Sequence, residues 1–256
     1  MTEWRKNNSS RVSVLAGLHY QNNVNGFGMF TNILQGQTVL LSYQGQFVKN
    51  KANGYGIYTL SNRGSYEGEW ENDHQHGIGI EVWPDGSVYS GEFVNGTKHG
   101  IGTYIWKDGS KYSGEWYNNS LEGYGIYSFK DGRMYLGQWN NSCMDGYGEM
   151  IYNDGKIYIG YSSNNKKNGF GIFIWKNKMK AYIGFWKDNN QHGLGKFLKL
   201  KGSKYGLWSK GLREKTFDTE DEFYDELERK NEEQFKHYFK YGYKAIEMYI
   251  QFFKMV

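Results

Sequence analysis

The sequence predicts a mostly β protein: an elongated single-layer antiparallel β ribbon, or solenoid, of stacked 23-residue β-hairpins with a C-terminal α-helical tail. Two periodic features predict this fold. A tyrosine recurs every 23 residues, and turn-forming pairs recur between the tyrosines. The composition is the third observation, because the 256 residues include 35 glycines, one proline and 18% aromatic residues. Hydrophobic residues of every kind reach only 38%, so the core must be built from rings packed over glycines.

Composition and the N-terminus exclude several classes of protein. Cys143 is the one cysteine, which excludes an internal disulfide framework and a multi-cysteine zinc site. No apolar run approaches the ~20 residues of a membrane-spanning helix. The N-terminal segment, residues 1–14, lacks the apolar stretch of a secretory signal. We therefore expect a cytoplasmic protein.

The repeat array is predicted over residues 15–211. Each repeat opens with the pattern aromatic-x-Gly-x-aromatic, and a Gly-x-Gly follows 11 residues after the leading tyrosine. The leading tyrosines are Tyr43, Tyr66, Tyr89, Tyr112, Tyr135, Tyr158 and, after a step of 24, Tyr182. Degenerate copies led by Leu15 and Lys204 extend the array to about eight repeats and a closing half-repeat. Atypical terminal copies are expected in a solenoid, whose ends need caps.

Two sets of turn-forming residues divide each repeat into strands. The first set follows the second aromatic residue, at Asn72-Asp73, Asn95-Gly96, Asn118-Asn119, Asn164-Asn165 and Asp188-Asn189. The second set consists of Asp-Gly pairs, at Asp85-Gly86, Asp108-Gly109, Asp131-Gly132 and Asp154-Gly155. Each repeat is then one hairpin. At ~4.8 Å between strands, eight repeats would extend over about 80 Å.

The middle glycine of each opening pattern has a predicted role in packing. Residues two and four apart on a strand point to the same face, so Tyr112, Gly114 and Trp116 share one face of the sheet. A glycine there leaves a slot in which neighbouring rings can lie flat on the backbone.

These motifs identify a resemblance. Tyr-x-Gly-x-Trp, Gly-x-Gly and Asp-Gly at a 23-residue period resemble the MORN repeat (membrane occupation and recognition nexus) over roughly residues 15–211. The departures are Leu15 and His19 in the first copy, Ser162 in place of a tryptophan, and the irregular end near Tyr205. The resemblance implies a non-catalytic scaffold at the cytoskeleton, ciliary axoneme, cell cortex or a membrane junction.

The leading hypothesis is that protein partners, a helix or an extended segment, bind along an aromatic groove of the ribbon. The candidate groove residues are Tyr66, Trp70, Tyr89, Phe93, Tyr112, Trp116, Tyr135 and Trp139. The same rings can instead be simply the core of the fold, and both interpretations stay open.

The alternative function is peripheral binding to acidic phospholipid, since residues 1–212 carry 23 Lys and Arg against 16 Asp and Glu, a net charge of +7. The candidate lipid contacts are Lys166, Lys167, Lys176, Lys178 and Lys180. A targeting subunit of an enzyme complex and a homodimer are further alternatives. No catalytic residue, cofactor, metal site or nucleic-acid partner is predicted. His76, His99 and His192 occupy the same position of three repeats, just before the first glycine of Gly-x-Gly, rather than a cluster. Glu69, Glu92 and Glu115 form a periodic solvated stripe.

The tail, residues 212–256, has a different pattern. Glycine becomes rare after Gly211, and a helix is predicted from Thr216, with Thr219 or Asp218 as its cap and Glu222 completing a capping box. A second helix beyond Gly242 carries the candidate docking residues. These are Ile246, Tyr249, Phe252 and Phe253. We expect the tail to fold against the last repeats, to cap them, and to be able to occupy part of the groove.

Overall fold

Antiparallel strands account for most of the computed structural model, which describes residues 3–6, 11–20, 23–34, 39–60, 64–175, 180–199 and 202–239. Internal contacts divide the chain into an N-terminal unit, residues 1–127, and a C-terminal unit, residues 128–256. The predicted fold class, antiparallel hairpins followed by a helical tail, is confirmed.

In the N-terminal unit, strands that are consecutive in the chain pair antiparallel with one another. The strands are β1 (Glu3–Lys6), β2 (Arg11–Tyr20), β3 (Asn23–Leu34), β4 (Val39–Val48), β5 (Lys51–Leu60), β6 (Gly64–Glu71), β7 (His74–Val82), β8 (Val88–Val94), β9 (Thr97–Ile105), β10 (Lys111–Tyr117) and β11 (Ser120–Ser128).

The C-terminal unit continues the same pattern of antiparallel neighbours. Its strands are β12 (Met134–Asn140), β13 (Cys143–Ile151), β14 (Lys156–Ser163), β15 (Lys166–Trp175), β16 (Lys180–Lys187), β17 (Asn190–Lys199), β18 (Gly202–Ser209) and β19 (Leu212–Phe217). A helix, α1 (Glu220–Arg229), and a 3-10 turn, Glu233–Phe235, follow the last strand.

The first set of turns consists of two-residue turns in which both residues are left-handed. Asn72 and Asp73, for example, have φ of 50° and 71°. This is the type I′ geometry, which matches the twist of the strands and favours Asn, Asp and Gly. The second residue of the turn also joins neighbouring hairpins: Asn119 donates its N–H to the Lys98 carbonyl (3.0 Å), and its Oδ1 accepts from the Lys98 N–H (2.9 Å).

The Asp-Gly turns are hairpin turns, as predicted, but they are one residue longer than a two-residue turn. The Trp83 N–H donates to the Ser87 carbonyl and the Gly86 N–H donates to the Trp83 carbonyl, each at 2.9 Å. Of the pair, Gly86 has a left-handed φ, 90°. The Asp85 side chain accepts from the Ser87 N–H (2.9 Å) and fixes the turn from within.

The leading tyrosine of each repeat lies on two paired glycines. Gly68 and Gly79 face each other across strands β6 and β7. A Cβ atom on Gly79 would lie 2.4–2.5 Å from three atoms of the Tyr66 ring, and one on Gly68 would lie 2.5 Å from the Gly79 Cα. The predicted slot therefore exists, and the glycine across the strand contributes as much to it as the middle glycine does.

A β-bulge follows the middle glycine. In β6 the register shifts between Gly68 and Glu69, and the Tyr66 hydroxyl donates to the Glu69 carbonyl (2.9 Å) at that shift. The same bond recurs from Tyr43, Tyr89, Tyr112, Tyr135, Tyr158 and Tyr182 to the residue three positions on. Bulges increase local strand twist, so the tyrosine hydroxyl fixes the twist of each repeat.

Edge-to-face ring contacts connect successive repeats. Tyr66 packs against Trp70 of its own repeat and Phe93 of the next, with ring centroids 5.1 Å apart in both pairs and planes nearly perpendicular. Tyr89 does the same with Phe93 and Trp116, at 5.0 and 5.3 Å. Such pairs contribute about 0.5–1.5 kcal/mol each beyond the area that they bury.

The terminal copies keep this register. Gly17 pairs with Gly28, and a bulge separates Gly17 from His19. Strand β1 pairs with β2, so residues 3–6 of the predicted N-terminal segment extend the sheet. At the other end, β19 runs to Phe217, so residues 212–217 of the predicted tail are strand.

The tail helix therefore begins at Glu220 rather than at Thr216, because Thr216 pairs with Gly206 in the sheet. Thr219 is the N-cap, and its hydroxyl accepts from the Glu222 N–H (3.2 Å). The Glu222 carboxylate returns to the Asp218 N–H (3.1 Å), one residue before the position expected in a capping box.

The helix ends just before Asn231, which has a left-handed φ of 55°. The Glu232 N–H donates to the Leu227 carbonyl and the Asn231 N–H donates to the Glu228 carbonyl, which is a Schellman motif. The Schellman motif reverses the chain direction, so that the 3-10 turn Glu233–Phe235 can pack against the sheet.

The tail packs on the sheet face opposite the leading tyrosines. We call the tyrosine side the ring face and the opposite side the reverse face. The buried residues of this second core are Ile157, Phe170, Ile174, Ala181, Ile183, Leu194, Leu198, Phe217, Phe223, Leu227 and Phe239. The expectation that the tail folds against the last repeats is met for residues 220–239, but these residues cover the reverse face rather than the aromatic groove. Ile246, Tyr249, Phe252 and Phe253 lie outside the described residues.

An ion pair between a buried lysine and a half-exposed glutamate joins the start of the helix to this core. The Lys196 ammonium, on the reverse face of β17, lies 3.2 Å from a carboxylate oxygen of Glu220, and the Lys196 side chain is 8% exposed. Tyr224 donates to the same Glu220 oxygen (3.0 Å).

Adding a methyl group at Gly114 should destabilise the protein. A Cβ there would lie 2.5 Å from the Gly125 Cα and the Tyr124 carbonyl oxygen, both backbone atoms. We expect Gly114→Ala to lower the free energy of unfolding by about 1–3 kcal/mol or more, as overpacking does. Gly96→Asn is the matched control, because Gly96 has no atom within 4 Å of an added Cβ and Asn occupies the equivalent turn position at Asn119. Because Gly96 has a left-handed φ of 79°, which Asn tolerates better than most residues, this variant should change stability little. Equal melting temperatures for the two variants would contradict the ring-over-glycine account.

The protein should lose stability steeply above pH 10. Burial raises the pKa of each leading tyrosine, to about 12 for Tyr43 and Tyr135. Because the folded pKa lies above the unfolded value of 10, this stability is fully present below pH 10 and is lost as pH rises towards 12. Each such tyrosine then costs about 1.4 kcal/mol per pH unit.

Urea unfolding at pH 8, 10 and 11 measures this loss. Tyr135→Phe removes one titrating phenol, so the free energy of unfolding should fall less steeply with pH, by about 1.4 kcal/mol per pH unit. A stability that stays constant to pH 11 would show that these phenols are not buried in the fold.

Truncating the contacts of the tail should expose the second core. Phe223 is completely buried, and its ring lies 5.1 Å from that of Tyr205 and 5.0 Å from that of Phe239. We expect Phe223→Ala to cost about 3–5 kcal/mol, measured by thermal melting, and to increase binding of an apolar dye. Tyr238→Ala, at a residue that is 52% exposed, is the control and should change little. If both variants melt like the parent, the docked tail does not stabilise the sheet.

Candidate partner-binding surfaces

The rings predicted to form a groove are buried in the ring face. Tyr66, Tyr89, Phe93, Tyr112 and Tyr135 are at most 1% exposed, Trp116 and Trp139 are 6% exposed, and Trp70 is half-buried. These side chains therefore form the core of the fold. Whether a partner also contacts them stays a prediction, and Trp70 is the member of the set that a partner reaches most easily.

The tryptophans of the ring face are anchored to the backbone. The Trp116 indole N–H donates to the Gly102 carbonyl (3.1 Å), and the Trp186 indole donates to the Gly171 carbonyl (3.2 Å). Trp70 makes the same bond to Gly56 (3.1 Å). Each tryptophan thus joins its own repeat to the second glycine of the preceding Gly-x-Gly.

The glutamates read as a solvated stripe also support the backbone. Glu92 Oε1 accepts from the Ile101 N–H (2.8 Å), and the carboxylate lies over Gly100, whose φ is +55°. Glu69 and Glu115 make the same contact at Ile78 and Tyr124. This role was missed from the sequence, although the constant spacing of nine residues between acceptor and donor could have indicated it.

The reverse face of the N-terminal unit carries an exposed apolar row. The row consists of the middle residue of each Gly-x-Gly and the apolar residue two positions on, and each member is at least 40% exposed. Its members are Phe27, Met29, Tyr55, Ile57, Ile78, Ile80, Ile101, Tyr124 and Ile126. Contiguous exposed apolar surface of this kind marks interaction sites.

Carboxylates border the apolar row. Glu67 lies directly across the sheet from Ile57 and from Ile80, and Glu92 lies across from Ile78. Glu115 is the cross-strand partner of Ile101. The reverse face of this unit is therefore both apolar and acidic.

In the last repeats of the C-terminal unit the tail covers the equivalent positions, whereas Tyr147, one repeat earlier, stays 49% exposed. Phe170 and Leu194, the middle residues of their Gly-x-Gly motifs, are 8% and 0% exposed. The Phe170 ring stacks on Phe235 with centroids 5.0 Å apart and meets Phe239 edge-on at 5.4 Å. Residues at the same repeat position as the apolar row thus bind helical residues of their own chain.

The lysines proposed for lipid contact have different surroundings. Lys176 and Lys178 lie outside the described residues. Lys166 is exposed and lies 3.1 Å from an Asp188 carboxylate oxygen. The Lys180 ammonium lies over the Trp175 ring at 4.7 Å.

Lys167 points into the ring face. Its ammonium lies 5.5–5.8 Å from the centroids of four rings, those of Tyr152, Tyr158, Phe173 and Trp186. Burial lowers the pKa of this lysine. Its charge is held by aromatic faces rather than presented to a membrane.

The fold does not bring the histidines that could be considered metal ligands together into a site. His76 and His99 lie in β7 and β9 at one position of their repeats. Within the described residues, no three His, Cys, Asp or Glu side chains group as a metal site would require. None of the helices in that part of the chain is long and apolar enough to span a bilayer.

Comparison with known proteins identifies the repeat. Among curated proteins, none matches this sequence. One solved structure that this chain matches is the SAS-4 (dCPAP) TCP domain in complex with a proline-rich motif of Ana2 (dSTIL) of Drosophila melanogaster, at 12% identity and a TM-score of 0.33. The match covers 69% of this chain and 84% of that one.

The family model for the MORN repeat matches seven segments, which begin at the seven leading tyrosines. They are residues 43–65, 66–88, 89–111, 112–132, 135–157, 158–180 and 182–204. These segments cover more than half of the sequence, and the paired glycines, the bulge and the buried tyrosine recur through them, so the chain belongs to the MORN repeat family.

Proposed function

We propose that this chain is a non-catalytic scaffold that binds an amphipathic helix of a protein partner along the reverse face of its N-terminal unit. The observation that carries the proposal is the exposed apolar row, whose equivalents Phe170 and Leu194 in the last repeats are covered by the chain's own helical tail.

The spacing of the row suits a helix. Successive repeats are two strands apart, or about 10 Å, and seven residues of an α-helix rise about 10.5 Å. A helix lying across the strands with one apolar side chain per heptad would meet Tyr55, Ile78, Ile101 and Tyr124 in turn. This is recognition of apolar anchors by an extended surface.

Charge selects among such helices. Glu67, Glu92 and Glu115 border the row, so basic residues beside the apolar stripe of the partner would face carboxylates. Charge complementarity of this kind favours specificity and fast association. The partner is therefore a basic amphipathic helix rather than an acidic one.

We further propose that the chain acts in the cytoplasm at a cytoskeletal, axonemal or cortical structure, as its resemblance to MORN proteins implies. Microscopy of the tagged chain would test this placement. The double variant Ile78→Ser and Ile101→Ser should remain folded but should no longer localise to that cellular structure.

Binding can be measured with a fluorescent helical peptide that carries leucines at heptad spacing and lysines beside them. The parent chain should bind this peptide and not its twin with glutamate in place of lysine. Ile78→Ser with Ile101→Ser should weaken binding at least tenfold, because each buried isoleucine contributes about 1.5–3 kcal/mol.

Leu212→Ser is the matched control for this experiment. Leu212 is 75% exposed but belongs to β19 of the C-terminal unit and not to the row, so the variant should bind like the parent. Equal binding of both peptides, or no effect of the double variant, would refute the reverse face as the binding surface.

A further inference from the structure

A cleft of about 570 Å³ opens on the ring face of the N-terminal unit. Its walls are aromatic, formed by Phe30, Tyr43, Phe47, Tyr58 and Trp70. Ala52 lies at its base and is 7% exposed. Because alanine ends at its methyl group, the rings around it remain open to a ligand.

The same repeat position holds a lysine ammonium elsewhere in the chain. Ala52 follows Tyr43 by nine residues, as Lys98 follows Tyr89 and Lys167 follows Tyr158. The Lys98 ammonium lies 4.7 Å from the Trp83 ring centroid, 5.5 Å from that of Tyr89 and 5.6 Å from that of Tyr104.

The rings around Ala52 are repeat equivalents of the rings around those lysines. Tyr43 corresponds to Tyr89, and Tyr58 corresponds to Tyr104. Trp70 corresponds to Trp186, which contacts the Lys167 ammonium. Trp83 and Tyr152, which also contact those lysines, fall six residues before the leading tyrosine, where this repeat has Gln37. The fold therefore builds at Ala52 an aromatic cage that shares three ring positions with the lysine-filled cages and is completed by Phe30 and Phe47.

Asp73 adds negative charge to this cleft. Its Oδ1 accepts from the Ala52 N–H (2.7 Å), a bond that the neutral Asn119 makes equally well to Lys98 (2.9 Å). The carboxylate is thus not required for the turn. Asp73 lines the cleft. The pKa of Tyr43 is raised to about 12, mainly by burial of its hydroxyl and to a smaller extent by the Asp73 charge.

We propose that this cleft binds the ammonium group of a lysine side chain contributed by a protein partner. Aromatic faces attract cations, and the Asp73 carboxylate complements the charge. The aliphatic stem of the lysine would pack on the rings, as the stems of long cationic side chains do. The cleft lies on the face opposite the apolar row, so this proposal and the proposed function can fail independently.

The probe is Nα-acetyl-lysine N-methylamide, titrated into the full chain labelled with ¹⁵N at its tryptophan indoles. The Trp70 signal, assigned by its absence in Trp70→Phe, should shift in a saturable way. The norleucine analogue, which keeps the stem without the ammonium, should bind at least tenfold more weakly. Equal binding of the two probes would overturn the proposal, because the cleft would then recognise the aliphatic stem and not the ammonium group.

Three variants complete the test. Ala52→Lys should abolish the shift, because the chain's own ammonium then fills the cage as Lys98 and Lys167 do. Asp73→Asn should weaken probe binding several-fold while the melting temperature stays the same, since Asn keeps the bond to Ala52. Met144→Lys, at the same position of another repeat, is the control and should bind the probe like the parent chain.

Unchanged binding in Ala52→Lys or in Asp73→Asn would place the probe elsewhere and refute the cleft. A choline headgroup offers similar chemistry from a lipid, so phosphatidylcholine vesicles form a separate arm. Vesicle binding that Ala52→Lys abolishes, without binding of the lysine probe, would overturn the assignment to a protein lysine.

Discussion

The contact of a tyrosine ring with two paired glycines is the constraint on which this structure depends. Tyr66 lies so close to Gly68 and Gly79 that neither glycine can carry a side chain. The ring brings its hydroxyl to the Glu69 carbonyl, where the strand bulges, and brings its edge to Trp70 and Phe93. One residue thus fixes the strand pairing, the local twist and the junction with the next repeat, which explains why the period of 23 is so strict.

That constraint occupies only one face of the sheet. The reverse-face positions beside each tyrosine vary more along the array, since the tyrosine slot does not depend on them, although Glu92 supports the backbone at Ile101. In the N-terminal unit they carry Glu67 and Glu92, whereas in the C-terminal unit they carry Ile183 and Phe185, on which the tail packs. The ring-face residues therefore keep the same packing in each repeat. The reverse-face residues determine which partner or segment of the chain can pack on that face.

The periodic pattern was sufficient to predict the strands, the turns and the glycine slot, because each depends on residues close together in one repeat. The cap at Thr219 was predicted for the same reason. The surface covered by the tail was not, because it depends on contacts of Phe235 and Phe239 with Phe170, more than 60 residues away in the chain. A signal was nevertheless present, since the residues that follow the leading tyrosines change from Glu67 to Ile183 along the array. Lys167 was assigned to the surface because a lysine is usually solvated, and its four-ring cage forms only when separate strands come together.

The position nine residues after each leading tyrosine shows how such an array can vary its ligands without changing its fold. It is occupied by Ala52, Gln75, Lys98, Leu121 and Met144 in successive repeats. Aromatic walls accept all of these, because ring faces pack against aliphatic groups and also attract cations. The backbone at this position is held by the turn of the next hairpin, as Asn119 holds Lys98, so the identity of its side chain does not affect strand pairing. A long side chain closes the cage and a short one opens it, which makes this one position per repeat the natural place for binding sites to arise on the ring face.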